Sequence, residues 1–284
     1  MSTPENSPHW RAPERAQPLR HSLSLPGSKS LTNRELVLAA LAEGPSTIRR
    51  PLHSRDTALM VEALRSLGAT ITEVPGSGAF GPDLAVSPIP QGFEVSATVD
   101  CGLAGTVMRF VPPLAALVRG TIRFDGDIGA RRRPMATTLH ALTQLGLKVN
   151  DEGRDTLPFT ITSSGPSTHS AVSIDASGSS QFVSGLLLMG AKLPEGLTVT
   201  HTGSHLPSLP HIEMTLSCLR ARGVDVDAST KGVWRVAAGP ISAVDVEMEP
   251  DLSNAAPFLA APLITGGKVS IEGWPSQTTQ VGAD

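Results

Sequence analysis

Aromatic side chains are scarce in this sequence of 284 residues, which contains no tyrosine, seven phenylalanines and three tryptophans. A surface that stacks the bases of single-stranded nucleic acid needs several such rings. Net charge is also small, with 26 acidic residues against 23 lysines and arginines. Without a basic field the chain has little to attract a phosphate backbone. We therefore expect no nucleic acid among its partners.

Long apolar runs are missing as well. The longest candidate, FVSGLLLMGAKL at residues 182–193, is interrupted by glycine and lysine, whereas a membrane-spanning helix needs about 20 apolar residues. The N-terminal 20 residues contain no apolar core of the signal-peptide kind. These absences predict a cytoplasmic protein with no membrane partner.

Cysteine is nearly absent. Cys101 and Cys218 are the only two, too few for a disulfide framework or a structural zinc site. His205 and His211 have no third ligand nearby in the sequence, so we interpret them as loop residues. We expect no metal and no cofactor.

What the sequence does contain is an internal repeat. One marker is a glycine that ends a helical pattern, the second an aspartate before a Gly- or Ser-rich turn, and the third a glycine after an Ala- or Leu-rich helix. The first marker recurs at spacings of 78 and 77 residues, the second at 75 and 76, and the third at 76 and 76. The markers fall at Gly68, Gly146 and Gly223; at Asp100, Asp175 and Asp251; and at Gly44, Gly120 and Gly196.

Each repeat predicts a strand, a turn, a helix, a second strand, a loop, a second helix and one or two further strands. In the first repeat the apolar spacing predicts helices over 31–44 and 57–68 and strands over 46–52, 69–74 and 84–89. Hydrophobic residues make up 40% of the chain, enough for a sizeable core. Alternating helices and strands indicate an α/β (α+β) fold, with repeated units around a shared axis.

The fourth repeat is incomplete. It begins at Asp251, and its second helix would end at about residue 300 by the same period, whereas the sequence given ends at Asp284. We expect the chain to be a truncated piece of a longer protein; a short terminal cap is the alternative.

Two turns at the same phase of the repeat suit anions. In LPGSKSLTNR, Ser28, Lys29 and Ser30 lead into a helix, where free N–H groups, hydroxyls and a lysine favour phosphate or carboxylate. Ser30 and Arg34 are four residues apart and share a helix face. The alternative is that Ser30 only caps the helix and Lys29 is solvated.

The equivalent turn of the third repeat is SGSSQF, which places Ser179, Ser180 and Gln181 at a helix start. The second repeat has CGLAGT there, where Gly105 allows close approach of a ligand. Two later loops, GARRRPM and HLPSLPHIEMT, add arginines and Ser208. Together these segments predict a site for a small polyanion, gathered from several repeats.

In order along the chain, LPGSKSLTNR, GLAGTVMRF, RRRPM, SGSSQF, LPSLPHIEMT and PDLSNAAPFLAA resemble the 5-enolpyruvylshikimate-3-phosphate (EPSP) synthases of the actinobacterial type. The resemblance covers about residues 25–267. It implies transfer of the enolpyruvyl group of phosphoenolpyruvate to the 5-hydroxyl of shikimate 3-phosphate, in aromatic amino acid biosynthesis, and glyphosate as an inhibitor. A monomer is implied for the full-length protein.

The resemblance also implies an architecture. The family has two similar domains, each of three βαβαββ units around a pseudo-threefold axis, an inside-out α/β barrel. We accordingly expect residues 27–248 to form one complete domain. Residues 1–26 and 249–284 would then be pieces of the second, split domain.

Roles for individual residues follow only from the resemblance. Lys29 is implied to contact phosphoenolpyruvate as the catalytic residue, with Gly105 and Arg133 lining the same side and Gln181 between the two substrates. The shikimate 3-phosphate contacts are implied to be Ser30, Arg34, Ser179, Ser180, Gln181 and Ser208. The family's acid/base residues come later than Asp284, so we expect this chain alone to be inactive.

Four positions depart from the commonest family pattern and leave the inhibitor response open: Leu103, Phe110, Gly129 and His211. Two other interpretations stand beside this one. A non-catalytic substrate-binding fragment is one. The other is the sister transferase acting on UDP-N-acetylglucosamine, although its SGAKNA motif and loop cysteine are absent here.

Overall fold

The computed structural model describes residues 17–283 and contains three four-stranded sheets and one two-stranded sheet. The α/β fold predicted from the repeat is thus confirmed. The strands are β1 Leu19–Leu23, β2 Ser46–Arg49, β3 Thr70–Gly78, β4 Gly81–Ser87, β5 Glu94–Asp100, β6 Arg119–Asp125, β7 Lys148–Asn150, β8 Phe159–Ser164, β9 Ala171–Ile174, β10 Leu197–His201, β11 Val226–Asp227, β12 Val233–Val236, β13 Val246–Glu247 and β14 Gly267–Ile271. The α-helices are α1 Lys29–Ala40, α2 Arg55–Ser66, α3 Gly105–Phe110, α4 Ala136–Gln144, α5 Gln181–Gly190, α6 Leu209–Ala221 and α7 Ala256–Thr265.

The three larger sheets share one topology. Their strand orders are β13-β2-β4-β3, β5-β6-β8-β7 and β9-β10-β12-β11. In each, the first two strands are parallel and the other neighbours are antiparallel. A right-handed crossover helix is the usual connection for such a parallel pair. The shared topology is the structural form of the sequence repeat.

The first unit obtains its opening strand from a segment that follows the third unit in the chain. β13 pairs in parallel with β2, with Val246 opposite Ile48 and Glu247 opposite Arg49. In the other two units the equivalent strand directly precedes its helix. β13 therefore completes the four-stranded sheet of the first unit, so all three units have the same sheet.

The first helix of each unit, α1, α3 or α5, lies in the core. α1 has nine buried residues and α5 has nine. The Asn33 amide donates to Thr106 Oγ1 at 2.7 Å and joins α1 to α3. This hydrogen bond holds α1 and α3 together, and α5 packs against both of them.

The second helix of each unit ends in the same way. Gly68, Gly146 and Gly223 follow α2, α4 and α6 with φ of 102°, 81° and 77°. In each case the next residue donates to a carbonyl five residues back: Ala69 to Leu64, Leu147 to Leu142, and Val224 to Leu219. This is the Schellman ending, for which glycine is the favoured residue.

Helix boundaries differ from the sequence predictions. α1 begins at Lys29, two residues before the predicted start, because Ser28 is already the extended residue before the helix. It ends at Ala40, well before the predicted Gly44. α2 covers Arg55–Ser66, again two residues early, because the Ser54 hydroxyl accepts from Thr57 N at 3.2 Å and starts the helix there.

The rest of the described chain forms a smaller layer. β1 pairs in parallel with β14, and α7 packs on both. α7 has no buried residue; Leu263 and Ile264 are 87% and 86% exposed. Among residues 17–283, none of the helices has the length and hydrophobicity that a membrane span requires.

Candidate anion-binding site

Lys29 lies at the first position of α1 between two carboxylates. Its Nζ is 3.4 Å from Asp56 Oδ2, and its backbone N–H donates to Asp251 Oδ2 at 3.1 Å. Half of the lysine side chain is exposed. The ammonium group is therefore held by one partner while it remains open to a ligand.

Arg34 lies one turn further along α1 and is buried. Its guanidinium donates to Thr215 Oγ1 at 2.8 Å, to the Ser30 carbonyl at 2.9 Å and to the His211 carbonyl at 2.9 Å. It also lies over the Phe110 ring. Burial lowers the pKa of Arg34 to about 10, so the group is still cationic at neutral pH.

The structure thus brings Ser30 and Arg34 together, as their spacing predicts. The contact is made through the Ser30 backbone, and most N–H groups of Arg34 point to protein oxygens. None of these acceptors is a carboxylate. Arg34 therefore contributes a buried positive charge that no acidic residue in the described chain neutralises.

Gly105, Arg133 and Gln181 come together from three different elements. A Cβ on Gly105 would lie 3.3 Å from Arg133 Nη1 and 3.4 Å from Gln181 Oε1. Arg133 Nη1 also donates to the Leu103 carbonyl at 3.1 Å. The absent side chain at Gly105 leaves the space that lets the other two groups converge.

Arg109 belongs to this group, and the sequence analysis missed it. Its Nη1 donates to the Gly105 carbonyl at 3.2 Å, and its guanidinium lies 5.4 Å from the centre of the Phe182 ring. Burial, and secondly the neighbouring Arg133, lower its pKa to about 10. Its Nε is buried without a partner in the described structure. The available signal was spacing, since Arg109 is four residues after Gly105.

The serines before α5 lie beside Gln181. Ser180 is buried next to the helix start, and the Ser179 hydroxyl accepts from Gln181 N at 3.2 Å. The Ser184 hydroxyl, one turn later, lies 3.5 Å from Arg34 Nη2. The start of α5 therefore connects the Arg34 side of the site with the Arg133 side.

Ser208 precedes α6 in a left-handed conformation, with φ of 54°, which is uncommon for a residue other than glycine. It is exposed and its side chain makes no cap hydrogen bond. Its carbonyl accepts from His211 N at 3.0 Å. Burial, and secondly Arg34, lower the pKa of His211, which keeps the imidazole neutral at pH 7.

His205 lies in a loop, as predicted, and its carbonyl oxygen is 3.1 Å from His201 Nε2. The prediction that His211 is a loop residue is wrong: it lies in the first turn of α6, because the helix begins at Leu209 with Pro210 in the first turn, a position that suits proline. Among residues 17–283, no three His, Cys, Asp or Glu side chains are grouped so as to hold a metal.

A pocket of about 170 Å³ opens beside Lys29 and Ser30. One side comes from α1 and α6. The other side comes from the smaller layer, through Asp251 and Gln280. The remaining lining residues are Ser28, His211, Met214, Ser253, Asn254 and Val281.

Comparison with known proteins fits this arrangement. The family model for EPSP synthase (3-phosphoshikimate 1-carboxyvinyltransferase) matches residues 13–284. The chain belongs to the EPSP synthase family. A curated relative from Kocuria rhizophila, named 3-phosphoshikimate 1-carboxyvinyltransferase, is 54% identical over 277 residues. The match covers 96% of this chain and 62% of that relative.

Two solved structures of EPSP synthase from Acinetobacter baumannii share the fold. Their TM-scores are 0.77 and 0.75, each at 24% identity. They cover 92% and 90% of this chain, which spans 57% of each of them. At this identity the likeness concerns the fold alone.

Proposed function

We propose that this chain binds shikimate 3-phosphate and phosphoenolpyruvate for enolpyruvyl transfer, the activity named for its curated relative. The observation that carries the proposal is the pair of buried guanidiniums, Arg34 and Arg109, neither of which has a carboxylate partner in the described chain. Uncompensated buried cations are costly. An anionic ligand would supply the missing negative charge.

The shikimate 3-phosphate side is proposed to be the region around α1, α5 and α6. Hydroxyls and backbone N–H groups at helix starts suit a phosphate, and a nearby guanidinium suits a carboxylate. Arg34 donates to the carbonyls of Ser30 and His211, and the His211 N–H donates to the Ser208 carbonyl, so the backbones of both serines are linked to this guanidinium. The proposed contacts are Ser30, Arg34, Ser179, Ser180, Gln181 and Ser208.

The phosphoenolpyruvate side is proposed to be the group formed by Lys29, Gly105, Arg133 and Gln181. Phosphate leaves phosphoenolpyruvate in this reaction, so negative charge must be stabilised as the bond breaks. Arg133 beside Gly105 and Lys29 held by Asp56 are preorganised cations of the kind that stabilise such charge. Lys29 is the residue we assign to catalysis.

The domain division is also a proposal. The three equivalent sheets lie between Ser46 and Glu247, which supports one unit over 27–248. The pairing of β1 with β14 joins residues 19–23 to 267–271. That pairing supports 1–26 and 249–284 as two pieces of another unit.

A titration of this chain with shikimate 3-phosphate, followed by NMR, tests the binding proposal. We expect signals at Ser30, Ser180 and Ser208 to move, and Ser208→Ala to weaken binding. Ser204→Ala, an exposed hydroxyl on the same loop, is the control and should bind as the parent does. Signals that move only far from these residues, or no binding by the parent chain, would refute the proposal.

That these 284 residues alone do not turn substrate over stays a prediction. A phosphate-release assay with both substrates tests it, and the expected rate equals the uncatalysed rate. Glyphosate as an inhibitor, a monomer for the full-length protein and a cytoplasmic location are likewise proposals that follow from family membership.

A further inference from the structure

The chain crosses between its two layers twice, and the two crossings are hydrogen-bonded to each other. Ser28 N donates to the Glu249 carbonyl at 2.8 Å, and Asp251 N donates to the Pro26 carbonyl at 2.9 Å. Gly27 forms an isolated bridge with Pro250. A Cβ at Gly27 would lie 2.3 Å from the Arg50 carbonyl oxygen, so only glycine fits the crossing.

Gln280 is buried against this crossing with a 5% exposed surface. Its amide nitrogen donates to Glu249 Oε2 at 2.7 Å and to the Pro250 carbonyl at 3.0 Å. Its amide oxygen accepts from Leu252 N at 3.2 Å. One side chain thus binds Glu249, Pro250 and Leu252, which lie on both sides of Asp251.

Asp251 in turn faces the start of α1. Its Oδ2 accepts from Lys29 N at 3.1 Å, and its Oδ1 accepts from Asn254 N at 3.2 Å. Gln280 is therefore hydrogen-bonded to the backbone on both sides of Asp251, and the Asp251 side chain is hydrogen-bonded to Lys29. Gln280 also lines the pocket that contains Lys29 and Ser30.

We propose that Gln280 is a positioning residue for the anion site: it holds Asp251 against the first turn of α1 and thereby sets the place of Lys29. A neutral amide suits this position because it donates to a carboxylate and a carbonyl and accepts from an N–H at the same time. The part of the proposal that concerns substrate rests on the function proposed above, whereas the part that concerns Lys29 does not.

The test uses Gln280→Met in this chain, which keeps the length of the side chain and removes its hydrogen bonds. Gln277→Met is the matched control, since Gln277 is exposed and has no hydrogen bond within the described residues. The first measurement is a ligand-free amide spectrum. In Gln280→Met we expect the backbone amide signals of Lys29 and Asn254 to move, with those of Thr121 and Trp234 unchanged. In the control none of these should move.

The second measurement is the affinity for shikimate 3-phosphate. Residues that act through others commonly change coupling by about 2- to 30-fold, and we expect a loss of that size in Gln280→Met and less than about twofold in the control. If the parent chain does not bind this ligand, the proposed function fails, and the Lys29 amide alone decides the role of Gln280.

A lower melting temperature with unchanged Lys29 signal and affinity would show a merely structural role and overturn the inference. If Gln280→Met does not fold, Gln280→Asn replaces it, because it keeps the amide but shortens its reach by one methylene. An unmoved Lys29 amide in that variant overturns the inference equally.

Discussion

At the scale of single residues, the buried arginines differ in their partners. Arg222 forms a buried ion pair with Glu35, with Nε donating to Oε2 at 2.9 Å and Nη2 at 2.8 Å from the same oxygen. The Nη2 contact lacks the alignment of a hydrogen bond. Arg34 and Arg109, also buried, have only neutral acceptors. The first pattern is structural, and the second leaves positive charge available to a ligand.

Arg133 is expected to act on one substrate. In the full-length protein Arg133→Ala should weaken phosphoenolpyruvate use by about 10- to 150-fold, the equivalent of one hydrogen bond to a charged group, with little change in shikimate 3-phosphate affinity. Steady-state kinetics and a binding titration measure the two effects. Arg132→Ala, an exposed neighbour, should change neither. An equal loss for both substrates would contradict the assignment.

Arg222 is expected to matter for stability instead. Arg222→Met leaves the Glu35 carboxylate buried without its partner, and such a change costs about 3–5 kcal/mol in unfolding free energy. Arg235→Met breaks the exposed pair with Asp227, where both side chains are about half exposed, and should cost about 0–1 kcal/mol. Urea denaturation compares the two variants. Similar losses would show that the Arg222 pair is no more important than a surface pair.

At the scale of elements, the same helix ending occurs three times. The glycine after α2, α4 and α6 has positive φ in each unit, so the repeat detected in the sequence marks a repeated backbone requirement. The helix starts behave differently. The residues at the beginnings of α1, α3 and α5 are not alike, and each contributes its own group to the site.

Gly223→Ala tests the helix ending. Its φ of 77° is a conformation that costs an L-residue about 1–2 kcal/mol, and we expect a loss of that size in unfolding free energy. Gly239→Ala is the control, because a Cβ there would meet nothing within 4 Å and its φ is not positive. The control should be neutral or slightly stabilising. Equal melting temperatures for both variants would contradict the strain argument.

At the scale of the whole molecule, the connection between the third repeat unit and the first depends on a very short strand. β13 contains two residues, yet it joins the third unit to the first by pairing with β2. Asp245, just before it, accepts from Thr47 N at 2.7 Å and from Arg49 Nη2 at 3.1 Å. This carboxylate therefore holds the segment that follows the third unit against β2 of the first unit.

We expect Asp245 to make stability depend on pH. Chiefly the hydrogen bond from Thr47 N lowers its pKa below the ordinary value of 3.8. A lowered folded-state pKa stabilises the protein above the unfolded value and loses that effect as the pH falls through the folded one. Asp245→Asn should therefore reduce stability at pH 7, and it should reduce stability by less at pH 3, which is below the ordinary pKa.

Urea denaturation at both pH values measures this dependence. Asp225→Asn, a change at an exposed aspartate, is the control and should show no such difference. A loss in Asp245→Asn that is the same at both pH values would show that the carboxylate charge is not the cause.

The sequence by itself determined the features that depend on local pattern. The repeat period, the helix endings at Gly68, Gly146 and Gly223, and the helix start at Gln181 all follow from residue types at short spacing, which constrain the backbone nearby. Family membership also followed, because the motifs occur in a fixed order. Of the predicted site residues, Lys29 and Gly105 lie at helix starts, Arg34 lies one turn into α1, and Arg133 lies in the loop before α4.

Only the tertiary structure decided which distant residues meet. β13 is too short to show any periodicity, so its pairing with β2 is visible only when the sheet is assembled. Arg109 is marked locally only by its spacing from Gly105, and Gln280 has no local signature; the importance of both comes from burial beside Gly105 and beside the 249–252 crossing. Contacts of this kind depend on packing between segments that are far apart in sequence, and a pattern read within one segment contains no information about them.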